Sequence, residues 1–544
     1  MSNFTTHQVF LIPSYSLEQK ELEKMEKFLN LLEKSGIEGC LEDAKKAEEK
    51  GGRPTINPCD LIATILYCFA FGKGSLRDIE DKSKYDLRVI YLMNNERPSY
   101  KTFGNFINEI ILPNRWEIYS RITKQIFEEC GLDMKTAYID GSKFEADANK
   151  YKFVWKPTKH HERLSNKVRE LLKIYELDRG VPSKGIITAD QIAKKVTEYN
   201  DRLKPEEDPK IYKDYLQLIE YLKKSLEYEE KERICGPNRN SYFKTDHDAT
   251  AMCLKEDYYS GLGSNMHAAY NTQIIVSNGL ISGVYISQSR HDSGDFIPTL
   301  KKYMEMYGEF PEKVCADAGY GSFENYNYLE INNIQNYVKY FTWEGNVSGR
   351  YPSQYHLNED KTITCLGGKT GEIINDSPWH PRKKDSVFYK IEGCTQCSFS
   401  TYCKRYMKDK TEDYKYFEVV QKLQEYVQQS EENLLSVEGI EMRVNRSSQV
   451  EGAYGVIKQD LQYERFRRTS LSKVETEFML VCLGYNIRKL FRYYAGKSHF
   501  EYWKAPDNLS AESFKKPSAK RLENRVNKQN NKSINQVAKD SYHK

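Results

Sequence analysis

Apolar residues recur at helical spacing through much of the first 130 positions. The stretch SLEQKELEKMEKFLNLLEK carries them every three or four residues, and PCDLIATILYCFAFG reads as a buried helix closed by Gly72. SLRDIEDKSK starts at an N-cap residue, Ser75, and RPSYKTFGNFINEIIL sets Phe103, Phe106, Ile107 and Ile110 behind a Pro-Ser start. Short helices with tight turns predict a helical N-terminal domain over 1–130. It reads either as a helix-turn-helix-like DNA-binding module or as a plain bundle.

The pattern then changes twice. Residues 156–234 are charged, with 3.6-residue periodicity in HERLSNKVRELLKIYELD and YKDYLQLIEYLKKSLEYEEKERI. They predict two long helices joined by a loop with Gly180, Pro182 and Gly185, an inserted helical hairpin. Residues 241–340 are β-rich: AAYNTQIIVSN, LISGVYISQS and KVCADAGYGS predict strands, with the helical GDFIPTLKKYMEMYG among them. Strands mixed with helix predict a mixed α/β sheet over 131–340, interrupted by the helical insertion at 156–234. Residues 341–415 read as a turn-rich segment containing cysteines, 416–500 as helical, and 501–544 as a disordered tail.

Composition adds little until it is localised. The net charge of the 544 residues is +4, which selects no partner class. In 515–544, however, nine Lys/Arg face only Glu523 and Asp540, a basic tail suited to nucleic acid or simply to solvation. No run approaches the roughly 18 apolar residues of a membrane span. The first residues show no basic segment followed by an apolar core, so a cytoplasmic protein without membrane association is expected. Eight of the twelve cysteines are scattered and read as buried thiols of a reducing compartment. The other four are Cys365, Cys394, Cys397 and Cys403. Cys394 and Cys397 have the Cys-x₂-Cys spacing of a zinc ribbon, and four thiolates suit structural Zn²⁺. Ordinary free thiols are the competing reading.

Three stretches carry candidate chemistry. In TAYIDGSKFEADANKYKFVW, Asp140-Gly141 is either a hairpin turn between two alternating runs or a working carboxylate at the end of a core strand. KVCADAGYGS repeats that grammar, with a short strand over 313–316, then Asp317 and small residues. In QVEGAYGVIKQDLQYERFRR, Glu451 and Lys458 are seven apart, about 700° along an α-helix, so both project from one face. Two aspartates at strand ends and a helical glutamate could together hold divalent metal, and paired ions of that kind activate a nucleophile and stabilise a leaving oxygen.

Together, YIDGSKFEADANKYKFVWK, ADAGYGS and QVEGAYGVIKQDLQYERFRR resemble the DDE transposases of bacterial insertion sequences. The likeness is to the branch with a helical N-terminal domain, a Cys-containing insert and a third motif of Tyr, Arg, Glu and Lys. The motifs agree in order over roughly residues 55–495. The resemblance implies an RNase H-like mixed-sheet catalytic core and DNA cleavage and joining with Mg²⁺ or Mn²⁺, two ions. Asp140, Asp317 and Glu451 match the three acids, and Lys458 matches the lysine seven after the glutamate. Arg446 matches the arginine only in part, because four residues separate it from Glu451 where the family has three. Arg443 stands where the family has Tyr. Glu145 and Asp147 match no catalytic position.

Lys458, Arg446, Arg465, Arg467 and Arg468 are DNA-contact candidates, with a solvated face as the alternative. Trp343 and Trp379 read as core residues before base-stacking ones, and His291-Asp292 as a turn or as lining of the site. The whole predicts an enzyme that binds the terminal repeats of its element, cuts the ends and joins the 3′-hydroxyls to target DNA. It would act on double-stranded DNA as a homodimer on paired ends, in the bacterial cytoplasm near the nucleoid. The rivals are a non-catalytic DNA-binding derivative and a metal-dependent nuclease without joining.

Overall fold

Thr136–Glu145 is one unbroken strand, β1, and the molecule is organised around it. The computed structural model describes residues 17–42, 56–237, 239–255, 265–383, 385–497, 500 and 502–506. Most of the tail expected over 501–544 lies outside them. Asp140 and Gly141 form no hairpin turn: they take regular ladder partners, Ile274 and Gln273, on strand β5 (His267–Ser277). Both halves of the alternating run pair with β5 over eight residues, which a two-residue turn folding them onto each other would forgo.

Strands β4 (Thr250–Met252), β6 (Leu280–Ser287), β7 (Lys313–Ala316) and β8 (Gln335–Val338) complete the sheet. Its order is β4-β5-β1-β7-β8, with β6 also on β5. β5 runs antiparallel to β1, β6 antiparallel to β5, and β7 and β8 continue parallel to β1. The two parallel steps need crossovers. Phe296–Tyr307 connects β6 to β7, ending at Gly308 with φ +78°, and Phe323–Ile331, capped by Ser322, connects β7 to β8.

The N-terminal helices are α1 (Gln19–Lys34), α2 (Pro58–Phe71), α3 (Leu76–Tyr85), α4 (Leu87–Leu92), α5 (Tyr100–Phe106) and α6 (Leu112–Glu129). Side chains of Asn57, Ser75 and Asp86 cap α2, α3 and α4. These helices do not close on a core of their own. One continuous core runs from Met25 and Phe28 through Ile65, Phe103 and Ile126 to Ile274 and Val284 of the sheet and to Phe478 and Leu483 near the C-terminus.

The insertion differs from the expected two-helix hairpin. It has three helices, α7 (Thr158–Ile174), α8 (Ala189–Leu203) and α9 (Pro209–Cys235). Thr188 and Gln191 form a capping box that starts α8, and Asp208 caps α9 just past Pro205. Val168, Leu172, Ile192, Tyr199 and Leu218 give the insertion its own small core. Strands Phe153–Trp155 (β2) and Ser241–Phe243 (β3) pair at its base.

Residues 341–415 are more ordered than their turn content suggests. They supply most of a second, five-stranded antiparallel sheet, β9 (Tyr355–Leu357), β10 (Ile363–Cys365), β11 (Thr370–Ile374), β12 (Ser386–Glu392) and β13 (Tyr414–Val420). Leu357, Ile363, Tyr389, Ile391, Phe417 and Val419 fill its core. The chain returns through α10 (Gln421–Leu435) and α11 (Val437–Arg446), two π-helical turns at Ser447–Glu451 and Val456–Asp460, and a final long helix α12 (Leu471–Tyr494). No single helix among the described residues is long and apolar enough to cross a membrane.

Candidate active site

The parallel pairing of β1 with β7 ends at Ile139 opposite Ala316. The next residue on each strand is an aspartate, Asp140 and Asp317. Register alone therefore sets them side by side. Asp140 stays in the ladder with β5, while the chain after Asp317 tightens into a 3₁₀ turn, Ala318–Tyr320.

The third acid arrives on the helical segment after α11, whose start is capped by Ser436. Arg446, at the end of α11, is only 7% exposed. Its guanidinium joins all three carboxylates. Nη1 lies 3.2 Å from Asp140 Oδ2 and 3.7 Å from Glu451 Oε1, and Nη2 lies 3.3 Å from Asp317 Oδ2. Because Asp140 and Glu451 share one nitrogen, those two oxygens are no more than about 7 Å apart. Ser447 Oγ donates to the other Glu451 oxygen at 2.8 Å, and Lys339 Nζ stands 3.7 Å from Asp317 Oδ1.

The unusual spacing of Arg446 and Glu451 has a structural cause. In an α-helix, residues five apart are about 140° out of phase. The π-turn Ser447–Glu451 accommodates one extra residue, so Arg446 still reaches Glu451. The same feature undoes the 700° reckoning for Lys458, which assumes an uninterrupted α-helix and which lies in the second π-turn. Lys458 Nζ donates to the Lys143 carbonyl at 3.3 Å and sits 4.9 Å over the Phe144 ring. It also lines a cavity of about 320 Å³ with Gly141, Ser142, Lys143, Asn271 and Asp292.

Burial pushes the Asp140 carboxyl up to about 6, against the pull of Arg446 and the Gly141 N–H. Burial acts the same way on Asp317, but Arg446, the Ala318 N–H and Lys339 outweigh it and hold that carboxyl below its ordinary value. Adjacent aspartates in unlike environments thus have unlike proton affinities.

Around the acids lie Asp292, which the sequence offered as a turn residue or as lining of the site, and Gly141, Asp295 and Tyr454, which it did not single out as site residues. A Cβ at position 141 would come within 2.7 Å of Asp292 Oδ1 and closer still to the Gln273 amide, so a larger residue there would have to displace these side chains. Asp292 Oδ1 accepts from Asn271 at 2.7 Å and from Gln273 at 3.0 Å. It therefore sits beside β1, in a 3₁₀ turn, Asp292–Gly294. Asp295 is buried behind it, accepting from Asn271 and Ser287. The buried Tyr454 hydroxyl lies 2.9 Å from the Thr272 carbonyl and 3.3 Å from that of Asp140, fixing the Glu451 segment to both strands. Its place three residues after Glu451 on the same helical segment is the one signal that could have found it.

The basic candidates behave differently from one another. Arg465, Arg467 and Arg468 lie in the non-helical stretch beyond Glu451. Arg465 pairs with Asp147 at 3.0 Å. Arg467 donates to the Lys73 carbonyl and Arg468 to Asn108 Oδ1 at 2.8 Å. The last two therefore tie this stretch to the N-terminal helices, and Glu477 accepts both of their backbone N–H groups. Trp343 is buried, with Arg443 stacked 5.2 Å over it, and Trp379 donates to Glu418.

The chemistry of the acid set suits a hard cation: three carboxylates from three segments already converge on a positive group. Among the described residues, no three or more His, Cys, Asp or Glu close tightly enough to hold a metal as they stand. At the acids, the space between them is taken by Arg446. The four cysteines lie near one another, Cys365 and Cys397 both facing Gly367, as free thiols. Burial raises Cys394 and pushes Cys403 up to about 11.

Comparison with protein families gave two matches. A model described as "Transposase DDE domain" matches residues 364–491, which include the four cysteines, Arg446, Glu451 and Lys458. A model described as "Transposase domain (DUF772)" matches residues 14–109 in the helical N-terminal part. No curated protein and no solved structure matched.

Proposed function

We propose that this chain, which matches a transposase DDE domain and a further transposase domain, is a DDE transposase that binds the terminal inverted repeats of an insertion sequence, cleaves the element ends and joins the 3′-hydroxyls to target DNA. The observation that carries the reading is the single guanidinium of Arg446 joined to Asp140, Asp317 and Glu451. Three acids from distant parts of the chain converge there on one buried cation. The strand order, antiparallel on one side of β1 and parallel on the other, supports an RNase H-like core.

In this reading Asp140, Asp317 and Glu451 would hold two Mg²⁺ or Mn²⁺ ions once Arg446 makes way for them. Bound there, such ions would supply the Lewis acidity that lowers the cost of charge on attacking and leaving oxygens. The chain's own part is placement. β1 and β7 fix the two aspartates by register, and Tyr454 fixes the helical segment of Glu451. Water attacks the phosphodiester at the element end, and the freed 3′-hydroxyl attacks target DNA. Lys458, beside Lys143 in the cavity next to Asp140, takes a phosphate near the cut. Arg465, exposed at the surface, extends the basic track, while Arg467 and Arg468 mainly brace it. Joining two ends requires at least a dimer on DNA. Structural zinc in the Cys365, Cys394, Cys397 and Cys403 set rests on the donor chemistry and the Cys-x₂-Cys spacing, and the thiols would have to close up further to hold it.

Incubation with the element's own ends, Mg²⁺ and a target plasmid tests the function. Nicked ends and joined products are expected. Binding without cutting would favour the non-catalytic derivative, and cutting without joining the nuclease.

A further inference from the structure

Between Asp140 and Glu451 there is room for one cation, and Nη1 of Arg446 fills it, 3.2 and 3.7 Å from their oxygens. A divalent ion bound by both carboxylates, at about 2.1 Å from each, would draw these oxygens to no more than about 4 Å apart and stand where Nη1 stands. The two cannot be there together. Arg446 cannot yield by losing its proton, because a guanidinium stays charged. It has to be moved. Asp317 is placed differently. It has Nη2 of Arg446 at 3.3 Å and also Lys339 at 3.7 Å, so it keeps a cation partner whichever way the guanidinium turns.

We propose that Arg446 is the resident counter-cation of the three carboxylates, and that divalent metal loads only by displacing its Nη1 from Asp140 and Glu451. The inference rests on the reading of these acids as metal ligands. Its consequence is a low metal affinity in the DNA-free chain. A buried, permanently charged group that is turned out of its site needs another anion, and the substrate brings one, a phosphate. Metal and DNA loading then reinforce each other, because each takes one partner of the ion pair.

The test is Mn²⁺ binding to the full-length chain without DNA, followed by electron paramagnetic resonance. Wild type is compared with Arg446→Gln, Arg446→Lys and Asp140→Asn. Arg446→Gln should bind Mn²⁺ about tenfold tighter or more, since one close ion pair at the site is worth at least that. Arg446→Lys, with one shorter point charge, should fall between it and wild type. Asp140→Asn should bind about tenfold more weakly. If Arg446→Gln binds no more tightly than wild type while Asp140→Asn weakens binding, the counter-cation role is wrong and the ligand reading stands. If Asp140→Asn leaves binding unchanged, the ligand reading falls and the inference with it. Should Arg446→Gln not fold, Arg446→Lys decides: affinity at or below wild type overturns the proposal.

Discussion

Arg446 and Glu451 are five residues apart, yet the guanidinium of one lies 3.7 Å from the carboxylate of the other, because the turn between them is π-helical. An inserted residue has been absorbed without moving the acid off the site. Such turns are rare and concentrate at functional sites, and here one sits directly under the third acid.

Tyr454→Phe removes the hydroxyl that ties this segment to the carbonyls of Thr272 and Asp140. A lost buried hydrogen bond costs about 1–3 kcal/mol. The apparent melting temperature should drop modestly. Cleavage should fall further, by about 10- to 100-fold, because small misplacements of reacting groups are costly. Binding to the element ends should persist. Unchanged cleavage would show that Tyr454 is core packing alone.

Asp295 makes stability depend on pH. Burial pushes its carboxyl up to about 7, despite hydrogen bonds from Ser287 and Asn271. In the unfolded chain it ionises near 4. Between those values the unfolded state is charged and the folded state still protonated, so stability falls as pH rises and levels off above 7. The loss from this group is at most about 4 kcal/mol. Asp295→Asn should flatten the decline between pH 5 and 8 and stabilise the protein at pH 8. Thermal denaturation across that range checks it; parallel curves for variant and wild type would refute it.

Gly484 of α12 packs on the backbone of α2, where a Cβ would come within 2.6 Å of the Phe69 carbonyl oxygen. Gly484→Ala would push apart the helices joining the N-terminal part to the sheet core. A cost of about 1–3 kcal/mol is expected, visible as a lower apparent melting temperature. A variant as stable as wild type would mean that the two helices are not held at this distance.

Elemental analysis of the purified full-length chain should find about one zinc per molecule, lost on replacing Cys394 and Cys397 together by serine. The second sheet has its own apolar core, so the zinc-free double variant should keep its strands while the thiol end loosens. A zinc-free wild type would leave the four cysteines as ordinary thiols.

The strand end before Asp317 was legible because a short apolar run, Lys313–Ala316, stops there; Asp140 also follows such a run but lies inside β1, which continues to Glu145, so it stands neither in a turn nor at a strand end. The reading of Asp140-Gly141 as a turn failed because β5, more than 120 residues away in sequence, supplies the pairing that local preference cannot foresee. Periodicity could not show the π-turns, so the arginine looked displaced and Lys458 seemed to share a face with Glu451. Asp292 was weighed as a turn residue or as lining of the site, and it sits in a 3₁₀ turn that also lines the cavity beside β1. Its approach to β1 is held by hydrogen bonds from Asn271 and Gln273 of β5, a tertiary relationship without a local signature. The second sheet hid behind short strands and frequent turns.

The most direct measurement of the central claim separates cutting from binding in Asp140→Asn. Metal coordination needs the charged carboxylate, whereas duplex affinity comes mainly from phosphate contacts elsewhere. With the element's own ends and Mg²⁺, the variant should lose cleavage by three orders of magnitude or more, on the order of a transition-state interaction removed outright. It should bind those ends within about threefold of wild type. Cleavage persisting in the variant, or binding and cleavage lost together, would contradict the account.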